Sequence, residues 1–195
     1  MGSAKPIESG EDLPLKLAAA LAGRRRDTID VVGFRPAAVL VPLFVRDGAW
    51  HLLFTERGAG LRAHGGQVSF PGGAVDLDET PERTALREAD EEVGIDPAHV
   101  RILGLLGDVP TPTNFRITPV VGVLDPPPSV YRPNPVEVAQ VFEVAVARFR
   151  RPGALERLGE VERWGRRYPL IRYRIGVPDV WGATARMVQE LLTLW

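Results

Sequence analysis

Runs of apolar residues short enough for strands punctuate the chain. Ala37 to Val45 (AAVLVPLFV) and Trp50 to Glu56 (WHLLFTE) flank Asp47-Gly48, a dipeptide suited to the positive φ angles of a tight hairpin turn, so the two are expected to pair. Arg101 to Val109 and Phe115 to Leu124 are two more such runs on either side of a Pro/Thr loop, and Val138 to Val146 follows a proline-rich stretch at 126 to 135. Helical spacing marks Leu13 to Leu21, Trp181 to Trp195 and, most clearly, the segment from Pro81 to Val93. Strands that form hairpins, interrupted irregularly by helices, predict an α/β fold with a mixed sheet and helices on its faces. Residues 1 to 11 are polar with Gly and Pro and read as a loose terminus, which makes 1–35 an N-terminal extension with a short helix and 36–195 a single domain.

The Pro81 to Val93 segment has unusually clear ends. Thr80 followed by Pro81 is an N-cap and first-turn pair, and Gly94 suits the left-handed residue that closes a helix. At 100° per residue Leu86, Ala89 and Val93 share one face, and Glu88, Glu91 and Glu92 lie within about a 100° arc beside it. Carboxylates in the last two turns oppose the helix dipole at roughly 0.3 to 1 kcal/mol each. Such a cluster by itself also describes a solvated helix face. Convergent carboxylates equally suit Mg²⁺ or Mn²⁺, hard cations that favour oxygen ligands and share their remaining positions with water and phosphate. Arg87 precedes Glu91 by four residues and can brace it, and Gly72-Gly73 lets backbone approach an ion or phosphate where a side chain would obstruct it.

Composition narrows the classes. The 195 residues are 45% apolar, enough for one domain with a real core, and the formal charge of −1 offers no bulk attraction to nucleic acid or membrane. The chain contains no cysteine, which removes disulfides, thiolate metal sites and cysteine nucleophiles, and a cytoplasmic protein is expected. The Leu13 to Leu21 run is too short and too charged at its flanks for a membrane span or a signal peptide. The Arg24 to Arg26 run reads either as a solvated helix end or as a phosphate patch.

Gly73, five residues, Glu79, seven residues, then Arg87-Glu88-Ala89-x-Glu91-Glu92-x-Gly94-Ile95 resembles the Nudix box at every polar position. At average residue frequencies these identities at fixed offsets arise by chance far less often than about one site in a million. The resemblance implies an α/β/α sandwich with a loop-helix-loop metal site, hydrolysing a nucleoside diphosphate linked to another group. It implies Glu88 and Glu92 as the main ligands of Mg²⁺ or Mn²⁺, Glu91 as a further ligand or a base, and Arg87 as an orienting residue.

Leu53 to Gly73 (LFTERGAGLRAHGGQVSFPGG) is similar to the signature that accompanies this box in coenzyme A diphosphatases, with Thr55, Arg57, Arg62, Gly66, Phe70, Pro71, Gly72 and Gly73 in place. Phe54 stands where a second leucine is usual, and Gly58 replaces Ser or Ala. Thr111 to Gly122, Asn134 to Val138 and Trp181 to Ala185 also look like that subfamily. The implied substrate is coenzyme A or an acyl derivative and the implied products are 3′,5′-ADP and 4′-phosphopantetheine, with no nucleic-acid or membrane partner and with a homodimer left open. A diphosphate and a 3′-phosphate need fixed cations, for which Arg57 and Arg62 are candidates, with His64 as a lesser donor. The general base is Glu91 or Glu137, the latter in the Asn134 to Val138 stretch. Two rivals remain: a Nudix hydrolase of ADP-ribose or a damaged nucleoside triphosphate, and a Nudix-fold module that binds nucleotide without turnover.

Overall fold

A computed structural model describes residues 12–30, 32–58, 66–163, 165–176 and 178–195. The stretch before Asp12 read as a loose terminus, together with Arg62 and His64, lies outside the described residues. In chain order the elements are α1 (Asp12–Ala22), β1 (Arg35–Arg46), β2 (Ala49–Arg57), β3 (Val68–Ser69), β4 (Gly72–Ala74), α2 (Pro81–Val93), a 3₁₀ turn (Pro97–His99), β5 (Val100–Leu105), β6 (Val109–Pro110), β7 (Phe115–Leu124), β8 (Val138–Ala145), α3 (Val146–Phe149), β9 (Leu155–Arg163), β10 (Arg166–Tyr173), β11 (Val180–Trp181) and α4 (Gly182–Leu194).

β1 organises the main sheet. It runs antiparallel to β2 and β4 and parallel to β7, while β7 pairs antiparallel with β5 and β6, and β2 with β3 and β8. The hairpin between β1 and β2 turns at Asp47 (φ 51°) and Gly48 (φ 74°), as the sequence predicts, with Arg46 opposite Ala49. β1 is apolar almost throughout because both its faces are covered. Ala38, Leu40 and Phe44 point to α2 and pack with Ala85, Ala89 and Val93. Val39, Val41 and Leu43 point the other way, into a core shared with Leu13, Leu17 and Leu21 of α1 and Met187, Val188 and Leu191 of α4. The result is the expected α/β/α sandwich on a mixed sheet. The buried stripe of α2, which takes in Thr84, Ala85, Ala89, Glu92 and Val93, differs from the sequence expectation. Ala85 takes the place of Leu86, which is half-buried, and Glu92 goes inward beside Val93.

The sequence reading did not anticipate β9, β10 and β11, which form a separate three-stranded antiparallel sheet. β11 leads directly into α4, and the Thr184 hydroxyl donates to the Val68 carbonyl (3.0 Å), tying that helix to β3. No helix among the described residues is long and apolar enough to cross a membrane.

The arginine run does packing work. Arg24 pairs with Glu190 of α4 (2.6 Å), and Arg26 with Asp108 (2.7 Å). Asp108 also accepts from the Ile29 N–H (3.0 Å) and the Thr118 hydroxyl (2.9 Å), so one carboxylate with a 2% exposed side chain fixes the 26–29 segment against β7. Asp108→Ala removes three bonds and leaves a buried N–H and hydroxyl without their acceptor. It is expected to cost about 2 to 4 kcal/mol in urea unfolding, with Asp108→Asn intermediate; a loss under about 0.5 kcal/mol would show that this carboxylate is not holding the segment.

Candidate active site

The two ends of α2 are closed as its sequence indicates. Thr80 accepts from the Arg83 N–H (3.3 Å), Pro81 occupies the first turn, and Gly94 adopts φ 72° and donates back to the last turn. β4, paired with β1 in the sheet, comes against α2 at a distance only glycine permits. A Cβ on Gly72 would run into the Ala38 carbonyl oxygen and Val39 of β1, and a Cβ on Gly73 would run into the carboxylate of Glu88. The two glycines therefore bring backbone directly against the acidic face of α2.

Arg87 clamps three carboxylates. It donates to Glu79 through Nε and Nη2 (both 3.1 Å), to Glu88 (2.9 Å) and to Glu91 (3.2 Å). Those bonds, with a further one from the Thr84 hydroxyl (2.7 Å), hold the Glu79 carboxyl down at about 2, and the same partners raise the Arg87 guanidinium above its ordinary value. Arg87 thereby fixes the loop before α2 and turns Glu88 and Glu91 toward itself.

Glu92 is in a different position. It is 6% exposed and accepts one bond, from the Gly72 N–H at 3.3 Å. Burial pushes its carboxyl up to about 7, with the Gly72 bond and the charge of Arg57 opposing and the charges of Glu88 and Glu137 adding to the rise. Burial likewise raises Glu88, against the pull of Arg87.

These groups open onto one cavity of about 470 Å³, whose lining includes Arg57, Gly72, Gly73, Glu88, Glu92 and Glu137. Glu137 arrives there because the preceding loop is bonded to the end of α2: the Arg132 N–H donates to the Val93 carbonyl (2.9 Å) and the Asn134 N–H to that of Glu92 (2.8 Å). Asn134 then caps its own turn, accepting from the Val136 N–H on its side chain and from the N–H groups of Glu137 and Val138 on its carbonyl. Asn134 itself was not singled out by the sequence reading; an Asn-Pro pair opening a turn is the signal that marks it. The N–H of Gly58, next to Arg57, donates to the Glu137 carbonyl (3.1 Å), so the end of β2 and this loop are tied together. Phe54 stacks on Phe70 (centroids 4.8 Å apart) and on Phe142 (5.7 Å), filling the core beneath the Phe-Pro-Gly-Gly turn.

Glu91 is not brought to the cavity. Its side chain is 59% exposed and paired with Arg87. Among the described residues no three acidic or histidine side chains stand close enough to form a ready-made metal cage. Carboxylates of like charge spread apart unless a cation draws them together, and Arg87 takes up Glu88 here. The donor chemistry nonetheless fits Mg²⁺ or Mn²⁺. Glu92 is a buried carboxylate with a single N–H donor and no ion-pair partner among the described residues, Glu88 and Glu137 line the same space, and Gly73 leaves Glu88 room at the backbone.

A family model described as NUDIX domain matches residues 33–169. A protein named uncharacterized Nudix hydrolase NudL from Citrobacter koseri is 44% identical over 169 residues, covering 80% of this chain and 81% of that one. The protein of the same name from Escherichia coli is 40% identical over 174 residues, 83% of each. Among solved structures, a Nudix hydrolase from M. smegmatis, RenU, superposes with a TM-score of 0.50 and 27% identity over 58% of this chain and 72% of that one.

The raised Glu92 has a measurable consequence in metal-free protein. A carboxyl whose folded value (about 7) exceeds its unfolded value (4.5) contributes stability that is complete below 4.5 and lost as pH rises through 7. Glu92→Gln removes the buried charge, so in EDTA at pH 8 it is expected to be more stable than wild type by about 2 to 4 kcal/mol, with the gain fading toward pH 4.5. Urea titrations at both pH values check this; an equal effect at both would mean that Glu92 is not buried as a charge.

Proposed function

The chain belongs to the NUDIX domain family, and within that family we propose that it is a divalent-metal-dependent hydrolase that cuts the diphosphate bond of coenzyme A or an acyl derivative, releasing 3′,5′-ADP and 4′-phosphopantetheine. One observation carries the reading. The stretch similar to the coenzyme A diphosphatase signature supplies Arg57, Gln67, Phe70, Gly72 and Gly73 to the same cavity that Glu88, Glu92 and Glu137 of the hydrolytic set line. Substrate signature and acidic cluster thus serve one space.

Mg²⁺ or Mn²⁺ supplies Lewis-acid polarisation and neutralises charge on the phosphoryl oxygens. Glu88 and Glu92 would hold it, and Gly72-Gly73 keep the backbone clear of bulk on that face of the helix. Arg57, beside Glu92, offers a guanidinium to the diphosphate oxygens. Glu137 takes the proton of the attacking water, a role its place in the cavity favours over the exposed Glu91. Arg87 keeps the loop and Glu88 in register. A reducing cytoplasm suits a chain with no cysteine.

Incubation with coenzyme A and Mg²⁺ is expected to yield 3′,5′-ADP and 4′-phosphopantetheine. Turnover should be abolished by EDTA, restored by Mg²⁺ or Mn²⁺ and indifferent to thiol-blocking reagents, with ADP-ribose and nucleoside triphosphates cut more slowly. A preference for ADP-ribose over coenzyme A in kcat/KM would replace the substrate, and turnover by metal-free protein would overturn the mechanism. Glu92→Gln should lower kcat by about 10² or more. Glu137→Gln should lower kcat by about 10²- to 10⁴-fold with little change in KM, and Glu91→Gln by much less; the reverse order would return the base to Glu91.

A further inference from the structure

α4 carries a cation that the chemistry above does not use. Arg186, half-buried, lines the same cavity, with its guanidinium over the ring of Tyr168 of β10 (4.7 Å to the centroid). Burial pushes its pKa down, the mark of a charge held away from water without adequate compensation. Other arginines built into the fold are ion-paired: Arg24 with Glu190, Arg26 with Asp108, Arg46 with Glu143, Arg87 with Glu79. Arg186 has no carboxylate within ion-pair distance among the described residues. The acidic groups that face it are Glu190 and Asp27, and both have other commitments. Glu190 is bonded to Arg24 (2.6 Å) and to the Gly107 N–H (2.9 Å), and Asp27 stands 3.7 Å from Arg166.

The position of α4 gives this cation its meaning. The Thr184 bond to Val68 places the helix beside the strand that leads into the Phe70–Gly73 turn, and Trp181, 44% exposed, also lines the cavity. Tyr168 and Trp181 thus add two aromatic side chains to a lining that also holds the acidic residues of α2 and Glu137. The family match ends at residue 169, so α4 lies outside the part of the chain that the family model describes. Arg186 thus faces the cavity from a helix beyond the region the family model covers.

We propose that Arg186, backed by Tyr168, is a specificity-determining residue that takes a phosphomonoester of the substrate other than the diphosphate that is cut. A guanidinium on an aromatic face presents its free N–H edge to an anion, and a phosphate dianion returns the bidentate bonding and charge that no carboxylate here provides. On the coenzyme A reading, on which the naming of this group rests, it is the 3′-phosphate. Arg57, beside Glu92, then serves the diphosphate.

Binding of 3′,5′-ADP and of 5′-AMP in Mg²⁺, measured by calorimetry, isolates the second phosphate without turnover. Wild type is expected to bind 3′,5′-ADP about ten- to a hundredfold more tightly. Arg186→Gln should bring that ratio close to one and Arg186→Lys should keep part of it, with thermal unfolding recording that each variant is folded. No preference in wild type overturns the proposal, as does a preference preserved in folded Arg186→Gln; if Arg186→Gln does not fold, a full wild-type ratio in Arg186→Lys overturns it by showing no need for the fork. In the second and third cases Arg62→Ala shows whether the contact lies there instead. Failure of wild type to hydrolyse coenzyme A would sink the substrate reading separately, leaving the binding ratio to decide the role of Arg186.

Discussion

Everything at this site depends on how closely β4 lies to β1, its sheet neighbour, and to α2. Gly72 abuts the backbone of β1 and Gly73 abuts the Glu88 carboxylate, so one missing Cβ on each side sets the gap between sheet and helix. That gap lets the Gly72 N–H reach Glu92 and keeps Glu92 under cover. A wider gap would admit water, return Glu92 toward ordinary carboxylate behaviour and weaken its call for a cation. The steric rule therefore comes first, and the electrostatics follow from it.

Those electrostatics divide α2 into two zones. Near the surface, Arg87 pairs with Glu79, Glu88 and Glu91. Glu92, one turn away, has one backbone donor and a low-dielectric setting. The first zone is a brace that is complete in the protein as it stands. In the second, burial outweighs the single N–H donor, which is why Glu92 carries the larger rise in proton affinity.

α2 was legible in the sequence because its information is local: caps at Thr80 and Gly94, a proline in the first turn, and a periodic apolar stripe. The β1–β2 hairpin was legible for the same reason, through Asp47-Gly48. Spacing on a helix shows which residues share an arc but not which way each side chain turns, so the divergence of Glu91 toward Arg87 could not be read from it. β9 escaped because LERLGEVER alternates no clean apolar face; Leu155, Leu158 and Val161 all remain more than a third exposed and are spaced three apart. Arg186 and Tyr168 meet only through the folding of that second sheet, 18 positions apart in the chain, and no short-range pattern joins them. Asp108 is a similar case, a carboxylate whose partners at 26, 29 and 118 are assembled by topology.

The bond between Arg24 and Glu190 joins the segment after α1 to α4, and Glu190 also receives the Gly107 N–H at the end of the β5 region. A single carboxylate thus couples the beginning of the described chain to the helix at its end. Losing that carboxylate would release the segment after α1 and the Gly107 backbone together from the helix that lines the cavity.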